Sequence, residues 1–378
     1  MKVFIIAGET SGDKLGGALL AGLKTLVPDV EINGIGGPLM QAEGLQSLFP
    51  MDELSVMGIA EILPKYRHLM RRINQTAQTV LDEKPDVLIT IDSPDFSLRV
   101  ARRVKAASEI RTVHYVAPTV WAWRSGRARK MVGVIDHVLA LFPFEPPYME
   151  AVGIRCDFVG HPVVAEPVVS DAEAATFREV HGFGKAPILL ALPGSRRGEI
   201  SRLADTFGAA LEPVLNARPD MRVVVPAAPG VTDLVRSHVK SWSGAPLVIE
   251  EATDKRAAFK AASVALAASG TVSLELAASA TPMVIAYDMN WISRQIIKRM
   301  LKVDTVTLVN LVSDTRVVPE FLGERCQPDL IAQGVQNVIA KPDAQLEAMA
   351  VAMARLGQGE DAPGLRAAKA VLDGTKST

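Results

Sequence analysis

The chain has 378 residues, and its 41 lysines and arginines against 42 aspartates and glutamates give a formal net charge of −1. This balance argues against a nucleic-acid-binding protein, which usually carries a basic excess. With 48% hydrophobic and 22% charged residues, the composition is globular, and the length predicts two domains. The two cysteines, Cys156 and Cys326, form no C-x-x-C pair, which argues against a disulfide framework or a cysteine-rich zinc site.

The apolar segments are all shorter than a membrane span. The first, at residues 2–7, is too short for a signal peptide and predicts a strand. The most apolar tract, 261–287, is interrupted by Gly270, Glu275 and Pro282, so its pieces fall short of the roughly 20 residues that a span needs. We therefore expect a cytoplasmic protein, and the mean hydropathy of +0.20 leaves contact with a membrane surface open.

Short apolar runs alternate with longer amphipathic segments along the chain. Near-continuous apolar strands separated by helices are typical of parallel sheets covered on both faces. The predicted strands are residues 2–7, 86–91, 111–116, 137–141, 187–192, 221–225, 246–250, 263–267 and 283–287.

The alternation pauses near residues 160–169 and restarts at Pro187. We therefore predict an α/β fold with two doubly wound domains, residues 1–165 and 166–355, followed by a helical tail at 356–378. Ligands of open α/β sheets bind beyond the carboxyl ends of the strands, so we expect the active site in a cleft between the domains.

The first strand runs into GETSGD at 8–13, where Ser11 and Gly12 are candidates for an anion-binding turn before a helix. The string is neither G-x-G-x-x-G nor a P-loop, so its indication of nucleotide binding is weak. The glycines at 34–37 are equally consistent with an ordinary turn.

Two carboxylates follow the strand at 86–91. Asp92 stands at the strand tip, where catalytic groups collect, which makes it the candidate general base. Pro94 suits the first turn of a helix with Ser93 or Asp92 as its cap, and Asp95 is as consistent with capping as with chemistry. Further on, Trp121 and Trp123 could pack in the core or form the wall of a cleft.

In the second half, Gly194, Ser195 and Arg196 end a strand directly before a helix. Glycine lets backbone amides approach a ligand, and the arginine fork and the helix N-terminus favour phosphate. The alternative is an exposed turn with a surface arginine.

A similar turn contains Gly270 and Thr271, with Glu275 about one helical turn later. Such a turn can hold a phosphate and offer a carboxylate to a ribose diol. The alternative is helix capping, although a capping box has a spacing of three rather than four.

No pair among the six histidines has metal-ligand spacing, so we predict no metal ion and no cofactor. His161, before a proline at the domain junction, is more typical of a structural residue. A phosphate leaving group would then depend on Arg196 and on helix termini for charge neutralisation.

The segment 55–72 joins an apolar patch to a helix with four lysines and arginines in its last eight residues. It could be a solvated helix face or a docking site for an anionic membrane surface. The residues predicted to make the membrane contact are Val56, Met57, Ile59, Ile62, Leu63, Lys65, Arg67, Leu69, Met70, Arg71 and Arg72.

Ten strings, spread in order over nearly the whole chain, resemble the lipid-A-disaccharide synthase family. The strings are AGETSGD (7–13), GIGGPLMQAEG (34–44), SVMGIAEIL (55–63), IDSPDF (91–96), YVAPTVWAWR (115–124), FVGHP (158–162), LPGSR (192–196), ASGTVSLE (268–275), PMVIAY (282–287) and VPEFLGERCQP (318–328).

The resemblance implies a GT-B architecture with two Rossmann-like domains, the first for the acceptor and the second for a UDP-sugar. It implies an inverting hexosyltransferase of lipid A (lipopolysaccharide) biosynthesis, peripheral on the inner membrane. The implied donor is UDP-2,3-diacylglucosamine, and the acceptor is 2,3-diacylglucosamine 1-phosphate (lipid X). The implied products are the β-1,6-linked disaccharide 1-phosphate and UDP; a homodimer is left open.

The resemblance also assigns roles to residues. Asp92 matches the proposed base, and Arg196 matches the arginine of the nucleotide site. The remaining matches to substrate-binding positions are Ser195, Gly270, Thr271, Glu275, Asn310 and Glu320.

Three positions depart from the family pattern. Val309 replaces a proline, Ser97 stands where asparagine is frequent, and Gly323 stands where glutamine is usual. None of these changes removes a candidate catalytic group.

Three other functions are consistent with parts of the sequence. A UDP-sugar 2-epimerase shares the two domains and the UDP site but needs no lipid contact, so the segment 55–72 discriminates. A dehydrogenase is disfavoured because the first strand lacks the dinucleotide fingerprint. A non-enzymatic lipid- or nucleotide-binding module would form no product from the two diacyl sugars.

Overall fold

Two parallel β-sheets organise the chain, each in its own unit. The computed structural model describes residues 1–54, 59–122, 126–290, 294 and 303–375, and describes only the backbone of 59–65 and 375. Contacts divide the chain into one unit of residues 1–165 with 356–378 and a second unit of residues 166–355.

The first unit contains a seven-stranded parallel sheet in the order β3-β2-β1-β4-β5-β6-β7. Val3 of β1 lies between Ile32 of β2 and Val87 of β4, and the two central strands are buried almost completely. The strands are β1 (Lys2–Ala7), β2 (Glu31–Ile35), β3 (Gln46–Ser47), β4 (Val87–Ile91), β5 (Arg111–Tyr115), β6 (His137–Ala140) and β7 (Arg155–Phe158).

The helices of this unit cover the sheet with their apolar faces. In α4, which starts with Pro94, the buried Phe96, Val100 and Val104 recur every four residues and so form one stripe. The helices are α1 (Thr10–Leu26), α2 (Pro38–Ala42), α3 (Ile59–Glu83), α4 (Pro94–Ala107), α5 (Gly126–Arg129) and α6 (Pro146–Glu150), with short 3₁₀ turns at Met51–Glu53 and Pro162–Ala165.

The second unit contains a six-stranded parallel sheet in the order β10-β9-β8-β11-β12-β13. Its strands are β8 (Ile188–Leu192), β9 (Arg222–Pro226), β10 (Leu247–Ile249), β11 (Val264–Ala267), β12 (Met283–Tyr287) and β13 (Glu320–Leu322). Its helices are α7 (Asp171–Val180), α8 (Arg197–Ala217), α9 (Thr232–Val239), α10 (Ala252–Ala261), α11 (Val272–Ala278), α12 (Leu308–Ser313), α13 (Pro328–Ala340) and α14 (Asp343–Arg355), with a 3₁₀ turn at Gly323–Arg325.

The final helix, α15 (Pro363–Thr375), belongs to the first unit and packs against α1. The approach is close because glycines face backbone: a Cβ on Gly22 would lie 2.7 Å from the Gly364 carbonyl oxygen, and one on Gly364 would clash with the Ala18 carbonyl. The predicted terminal helix is therefore present and tied to the N-terminal helix.

Both sheets have the Rossmann-like strand order, so the predicted α/β fold class is confirmed. The order reverses between β1 and β4 in one unit and between β8 and β11 in the other. All nine predicted strands are present, each with ends within one residue of the prediction. Within the described residues, no helix combines the length and apolar composition needed to cross a membrane.

Candidate functional site

The carboxyl ends of β1 and β4 lie side by side, because these strands pair in parallel register. Asp92 follows β4 directly, and a Cβ on Gly8, which follows β1, would lie 2.8 Å from the Ser93 hydroxyl oxygen. Glycine at position 8 therefore permits the two loops to approach closely. Asp92 thus lies where the strand order of the first sheet reverses.

The backbone at this strand tip is strained. Asp92 and Ser93 have φ angles of +47° and +44°, in the left-handed region that few non-glycine residues adopt. Such conformations cost of order 1–3 kcal/mol and cluster at functional sites. Asp92 is half-buried, its amide donates to the Tyr115 carbonyl at 3.0 Å, and no side chain within the described ranges pairs with its carboxylate.

The capping alternatives around Asp92 are only partly realised. Pro94 begins α4 as predicted, with Ser93 at the N-cap position, but the Ser93 side chain makes no capping hydrogen bond. Asp95 lies exposed in the first turn of the helix. The geometry therefore does not explain the Asp92 carboxylate as a helix cap.

The loop after β1 differs from the expectation. Helix α1 already begins at Thr10, so Ser11 and Gly12 lie in its first turn rather than before it. Ser11 is exposed, whereas Gly12 is buried, and a Cβ there would lie 3.3 Å from that of Ala7. The predicted turn before the helix is wrong, and a substrate contact by these residues stays a prediction.

Asp13, which the sequence did not single out, has a structural role in the same turn. Its buried carboxylate accepts hydrogen bonds from the amides of Gly37 at 2.8 Å, Leu39 at 3.0 Å and Met40 at 3.0 Å. It thereby holds the first turn of α2, and the glycines at 34–37 belong to a structural turn.

The loop between β8 and α8 contains the residues that the sequence predicts to bind a phosphate group. Gly194 has a φ of +124°, and the space where its Cβ would lie is filled by Glu199. The Glu199 carboxylate accepts from the amides of Ser195 at 3.1 Å and Arg196 at 3.3 Å, and it pairs with the Arg196 guanidinium at 3.1 Å. A carboxylate of the chain therefore occupies the amides that the sequence assigns to phosphate, while the Arg196 side chain remains 69% exposed.

The neighbouring loop after β11 presents Gly270 and Thr271 to solvent. Thr271 occupies the N-cap position of α11 without a side-chain capping bond, and the Ser273 hydroxyl donates to the Gly270 carbonyl at 2.9 Å. Glu275 pairs with Lys255 Nζ at 2.7 Å, and both side chains stay more than a third exposed. The capping alternative for Thr271 and Glu275 is therefore not realised.

Asn310 and Glu320 brace the segment before α12. The buried Asn310 amide group donates to Thr305 Oγ1 at 3.2 Å and to the Val318 carbonyl at 3.0 Å, and its oxygen accepts from the Val318 amide at 3.0 Å. One Glu320 oxygen accepts from Thr305 Oγ1 at 2.5 Å and from the Thr307 amide at 2.7 Å. Both side chains have internal partners, and their contact with a nucleotide sugar stays a prediction.

Two of the three departures from the family pattern, Val309 and Gly323, are accommodated locally. Val309 is fully buried in α12, which starts one residue earlier. Gly323 has a φ of +58°, a conformation that glycine adopts without strain. The Ser97 hydroxyl is buried and has no hydrogen-bond partner among the described residues.

The predicted membrane contact lies only partly within the described residues. Val56 and Met57 lie outside them, and so do the side chains of Ile59, Ile62, Leu63 and Lys65. The predicted basic helix is present, but it already begins at Ile59, within the predicted apolar patch.

The remaining contact residues divide into three groups. Arg67 and Arg71 are exposed, whereas Leu69 and Met70 are partly buried against the hydrophobic core of the first unit. Arg72 forms a two-point ion pair with Glu53, with both nitrogen–oxygen distances 2.7 Å. Arg72 therefore has a partner within the protein.

Three titratable side chains of the first unit are neutral because they are buried. Burial lowers the pKa of His114 and of His161 to about 4. His161 Nδ1 accepts a hydrogen bond from the Val163 amide at 3.1 Å, which gives the ring a structural role. Burial also raises the pKa of the Cys156 thiol, and in the described part of the chain no cluster of three or more His, Cys, Asp or Glu residues could hold a metal ion.

Trp121, one of the two tryptophans that the sequence singled out, lies in the loop after β5. Trp121 is 9% exposed and packs edge-on against Phe142 and Phe144, which agrees with the core-packing alternative. Trp123 lies outside the described residues.

Solved structures with the same overall fold define the class. The UDP-GlcNAc 2-epimerase of Neisseria meningitidis bound to UDP-GlcNAc matches with a TM-score of 0.64 and 12% identity, covering 100% of both chains. The UDP-GlcNAc 2-epimerase of Methanocaldococcus jannaschii, in complex with UDP-GlcNAc and UDP, matches with a TM-score of 0.60 and 14% identity, also over 100% of both chains. At these identities the likeness concerns the fold, which is GT-B-like.

Sequence relatives define the family within this class. A family model described as lipid-A-disaccharide synthetase matches residues 3–364. The lipid-A-disaccharide synthase of Ruegeria pomeroyi is 64% identical, covering 99% of this chain and 95% of the relative, and that of Rhodospirillum centenum is 47% identical, covering 98% and 94%. The chain belongs to the lipid-A-disaccharide synthase family, and it is a glycosyltransferase of lipid A biosynthesis.

Proposed function

We propose that the enzyme transfers the sugar of UDP-2,3-diacylglucosamine to the 6-hydroxyl of 2,3-diacylglucosamine 1-phosphate with inversion at the anomeric carbon. The products are the β-1,6-linked disaccharide 1-phosphate and UDP. The first unit binds the acceptor, and the second binds the UDP-sugar. Family membership supports this reaction, and the placement of Asp92 is the observation that carries the mechanism.

Asp92 acts as the general base in this proposal. It lies at a strand tip where ligands of such sheets bind, and within the described ranges its carboxylate has no side-chain partner to satisfy it. Removal of the hydroxyl proton by a positioned base typically contributes about 10²–10⁴-fold to the rate. The strained backbone supports a functional reason for its conformation.

Arg196 neutralises the leaving diphosphate. Its guanidinium is exposed, and a planar fork of donors suits phosphate oxygens. Because Glu199 already accepts from the neighbouring amides, the phosphate contact depends on the arginine side chain and on the exposed Ser195, with the half-buried Gly194 beside it. Donors aimed at a leaving group contribute on the order of 10²–10³ each.

The nucleoside and sugar of the donor contact the remaining candidate residues of the second unit. Gly270 and Thr271 are exposed beside the β8 loop, and Lys255 contacts only one oxygen of Glu275, so its second oxygen can accept from a ribose hydroxyl. Asn310 and Glu320 complete the set by shaping the segment 303–310 that they brace.

The acyl chains of both substrates explain a membrane-facing segment. Each buried CH₂ is worth ~0.8 kcal/mol, so a chain of about ten carbons resists leaving a bilayer by roughly 8 kcal/mol. We propose that the segment 55–72 docks the enzyme on the cytoplasmic face of the inner membrane. The exposed Arg67 and Arg71 support an electrostatic contribution.

The configuration of the product tests the reaction. The protein would be incubated with both diacyl sugars, and the new linkage would be assigned by NMR from the anomeric coupling constant. We expect a β linkage to the 6-hydroxyl. An α linkage, or transfer to a different hydroxyl, would contradict the inverting displacement.

A further inference from the structure

A second buried carboxylate, Glu145, lies near the carboxyl edge of the first sheet, directly before α6. It is 3% exposed. One of its oxygens accepts from the backbone amides of Leu141 at 3.1 Å and Phe142 at 3.0 Å, and the other accepts from the indole N–H of Trp121 at 3.2 Å. All three partners are donors, so the arrangement suits a carboxylate rather than a carboxylic acid.

The segment held by Trp121 starts beside Asp92. The Asp92 amide donates to the Tyr115 carbonyl at 3.0 Å, and the next residue, Val116, donates to the Leu139 carbonyl at 2.9 Å. Val116 has a φ of +86°, which is rare for a β-branched residue, so the chain turns sharply there. The segment 116–121 is therefore fixed at its start by β4 and β6 and at its end by Glu145.

The Trp121 ring adds packing to the hydrogen bond. Its centroid lies 5.1 Å from that of Phe144 and 6.5 Å from that of Phe142, both in edge-to-face geometry. Phe142 in turn stacks on Phe144 at 5.3 Å and tilts against His161 at 5.3 Å. The Phe142 ring thus packs against Trp121, while the Phe142 amide donates to Glu145. Ring packing and the carboxylate therefore stabilise the same cluster.

We propose that Glu145 is a positioning residue for the acceptor: its ionised carboxylate anchors the buried Trp121 ring, and this anchor holds the preceding residues 116–119 as a wall beside Asp92. Three neighbouring strand tips, those of β4, β5 and β6, then form one braced edge. The role in acceptor binding rests on the proposed function, whereas the hydrogen bond between Glu145 and Trp121 does not depend on the substrate.

The charge of Glu145 responds to pH. Burial raises its pKa to about 7, although the three N–H donors oppose the shift. Among the described residues around the cluster, burial raises the pKa of Cys156 and lowers that of His161 to about 4, and the charge of Lys14 lowers the pKa of His161 as well. Glu150, at the far end of α6, is exposed. Protonation replaces an acceptor lone pair by a hydrogen, so the bond to Trp121 weakens as the pH falls below about 7.

The first test reads the contact without substrate. Trp121 fluorescence is obtained as the difference between the parent protein and Trp121→Phe, and it is followed from pH 5 to pH 9. We expect a transition near pH 7 that is absent in a Glu145→Gln background. The matched control is Trp242→Phe, because the Trp242 indole is buried in the second unit with no hydrogen-bond partner among the described residues, so its difference signal should not change with pH. A flat Trp121 signal, or the same transition without Glu145, would overturn the proposal.

The second test separates positioning from general structure. A lost hydrogen bond to a charged group corresponds to a change of about 10-fold or more, so Glu145→Gln should raise the acceptor KM about 10-fold and leave the donor KM unchanged. Trp121→Phe, which keeps a ring of similar shape, should do the same, and the double variant should be no worse than either single one. Additive effects, or an equal rise in both KM values, would contradict the proposal. If no disaccharide forms in any variant, the proposed function fails, while the fluorescence result still decides whether Glu145 holds Trp121.

Discussion

At the scale of single residues, Asp92 is the group on which the proposed mechanism depends. Replacing it by asparagine keeps its size and removes its basicity. We therefore expect Asp92→Asn to lower kcat by about 10²–10⁴-fold, measured as initial rates with both diacyl substrates. UDP affinity, measured by calorimetry, should stay within about two-fold, because Arg196 and not Asp92 is assigned to the diphosphate.

The matched control for this substitution is Asp95→Asn. Asp95 lies three residues further on, exposed in the first turn of α4, so it has the same chemical change without the strand-tip position. Its removal should alter kcat by less than about three-fold. Near-normal turnover of Asp92→Asn, or an equal loss in both variants, would refute the assignment of the base.

The sequence singled out Asp92, Arg196 and Glu275 as candidates, because each follows a predicted strand on the side where open α/β sheets bind their ligands. Their partners were harder to find. Lys255, which pairs with Glu275, comes from a different helix, and no local pattern joins the two. Glu199 lies three residues after Arg196, but a capping box starts with serine or threonine, so the sequence pattern does not predict that its carboxylate accepts from the Ser195 and Arg196 amides.

At the scale of elements, nine strands with apolar runs were predicted, whereas β2 and the edge strands β3, β7 and β13 were not among them. β4 reads VLITI and is buried throughout, whereas β7 reads RCDF and is buried at only one position. β3 and β13, at the outer edges of the sheets, have two and three residues. Such strands are defined by pairing with a neighbour, so hydrophobic periodicity alone does not reveal them.

The contact between α1 and α15 gives a stability prediction. A methyl group on Gly364 would clash with the Ala18 carbonyl, and overpacking of this kind typically costs about 1–3 kcal/mol. We expect Gly364→Ala to lower the free energy of unfolding by this amount in urea titrations. Gly126→Ala is the control, because a Cβ there meets nothing within 4 Å. Equal stability of the two variants would contradict the close helix packing.

Helix α3 carries the prediction of membrane docking. Neutralising Lys65, Arg67 and Arg71 with glutamine should weaken binding to anionic liposomes by about 100-fold in sedimentation assays, since each basic residue contributes ~1 kcal/mol. Arg72 is left intact because it pairs with Glu53.

The control for the docking prediction removes the same charge elsewhere. Lys185, Arg222 and Lys240 are exposed in the second unit, and their replacement by glutamine should leave liposome binding nearly unchanged. If both triple variants lose binding equally, net charge rather than α3 determines the interaction. If neither loses binding, the assignment of the contact to α3 is wrong.

At the scale of the whole molecule, acid should destabilise the fold. Burial lowers the pKa of His114, His137 and His161 from 6.5 to about 4. Between these values the unfolded chain binds more protons than the folded one, so stability is lost as the pH falls from about 6.5 to about 4. Glu145, with its raised pKa, acts in the opposite sense, but one group opposes three.

Urea unfolding at pH 6.5 and pH 4.5 would measure this loss. Each buried histidine contributes up to about 1.4 kcal/mol per pH unit, so His114→Gln with His161→Gln should make the pH dependence clearly shallower. A greater free energy of unfolding at pH 4.5 than at pH 6.5 would contradict the predicted loss of stability in acid.

The central claim for the whole molecule is that this GT-B-like enzyme joins two diacyl sugars. Its fold is shared with UDP-GlcNAc 2-epimerases, so the decisive measurement compares both activities in one preparation. The purified protein would be incubated either with UDP-2,3-diacylglucosamine and 2,3-diacylglucosamine 1-phosphate or with UDP-GlcNAc alone, followed by mass spectrometry and NMR. The account predicts the tetra-acyl disaccharide 1-phosphate in the first reaction and no epimer in the second. No disaccharide from the diacyl sugars, together with epimerisation of UDP-GlcNAc, would contradict it.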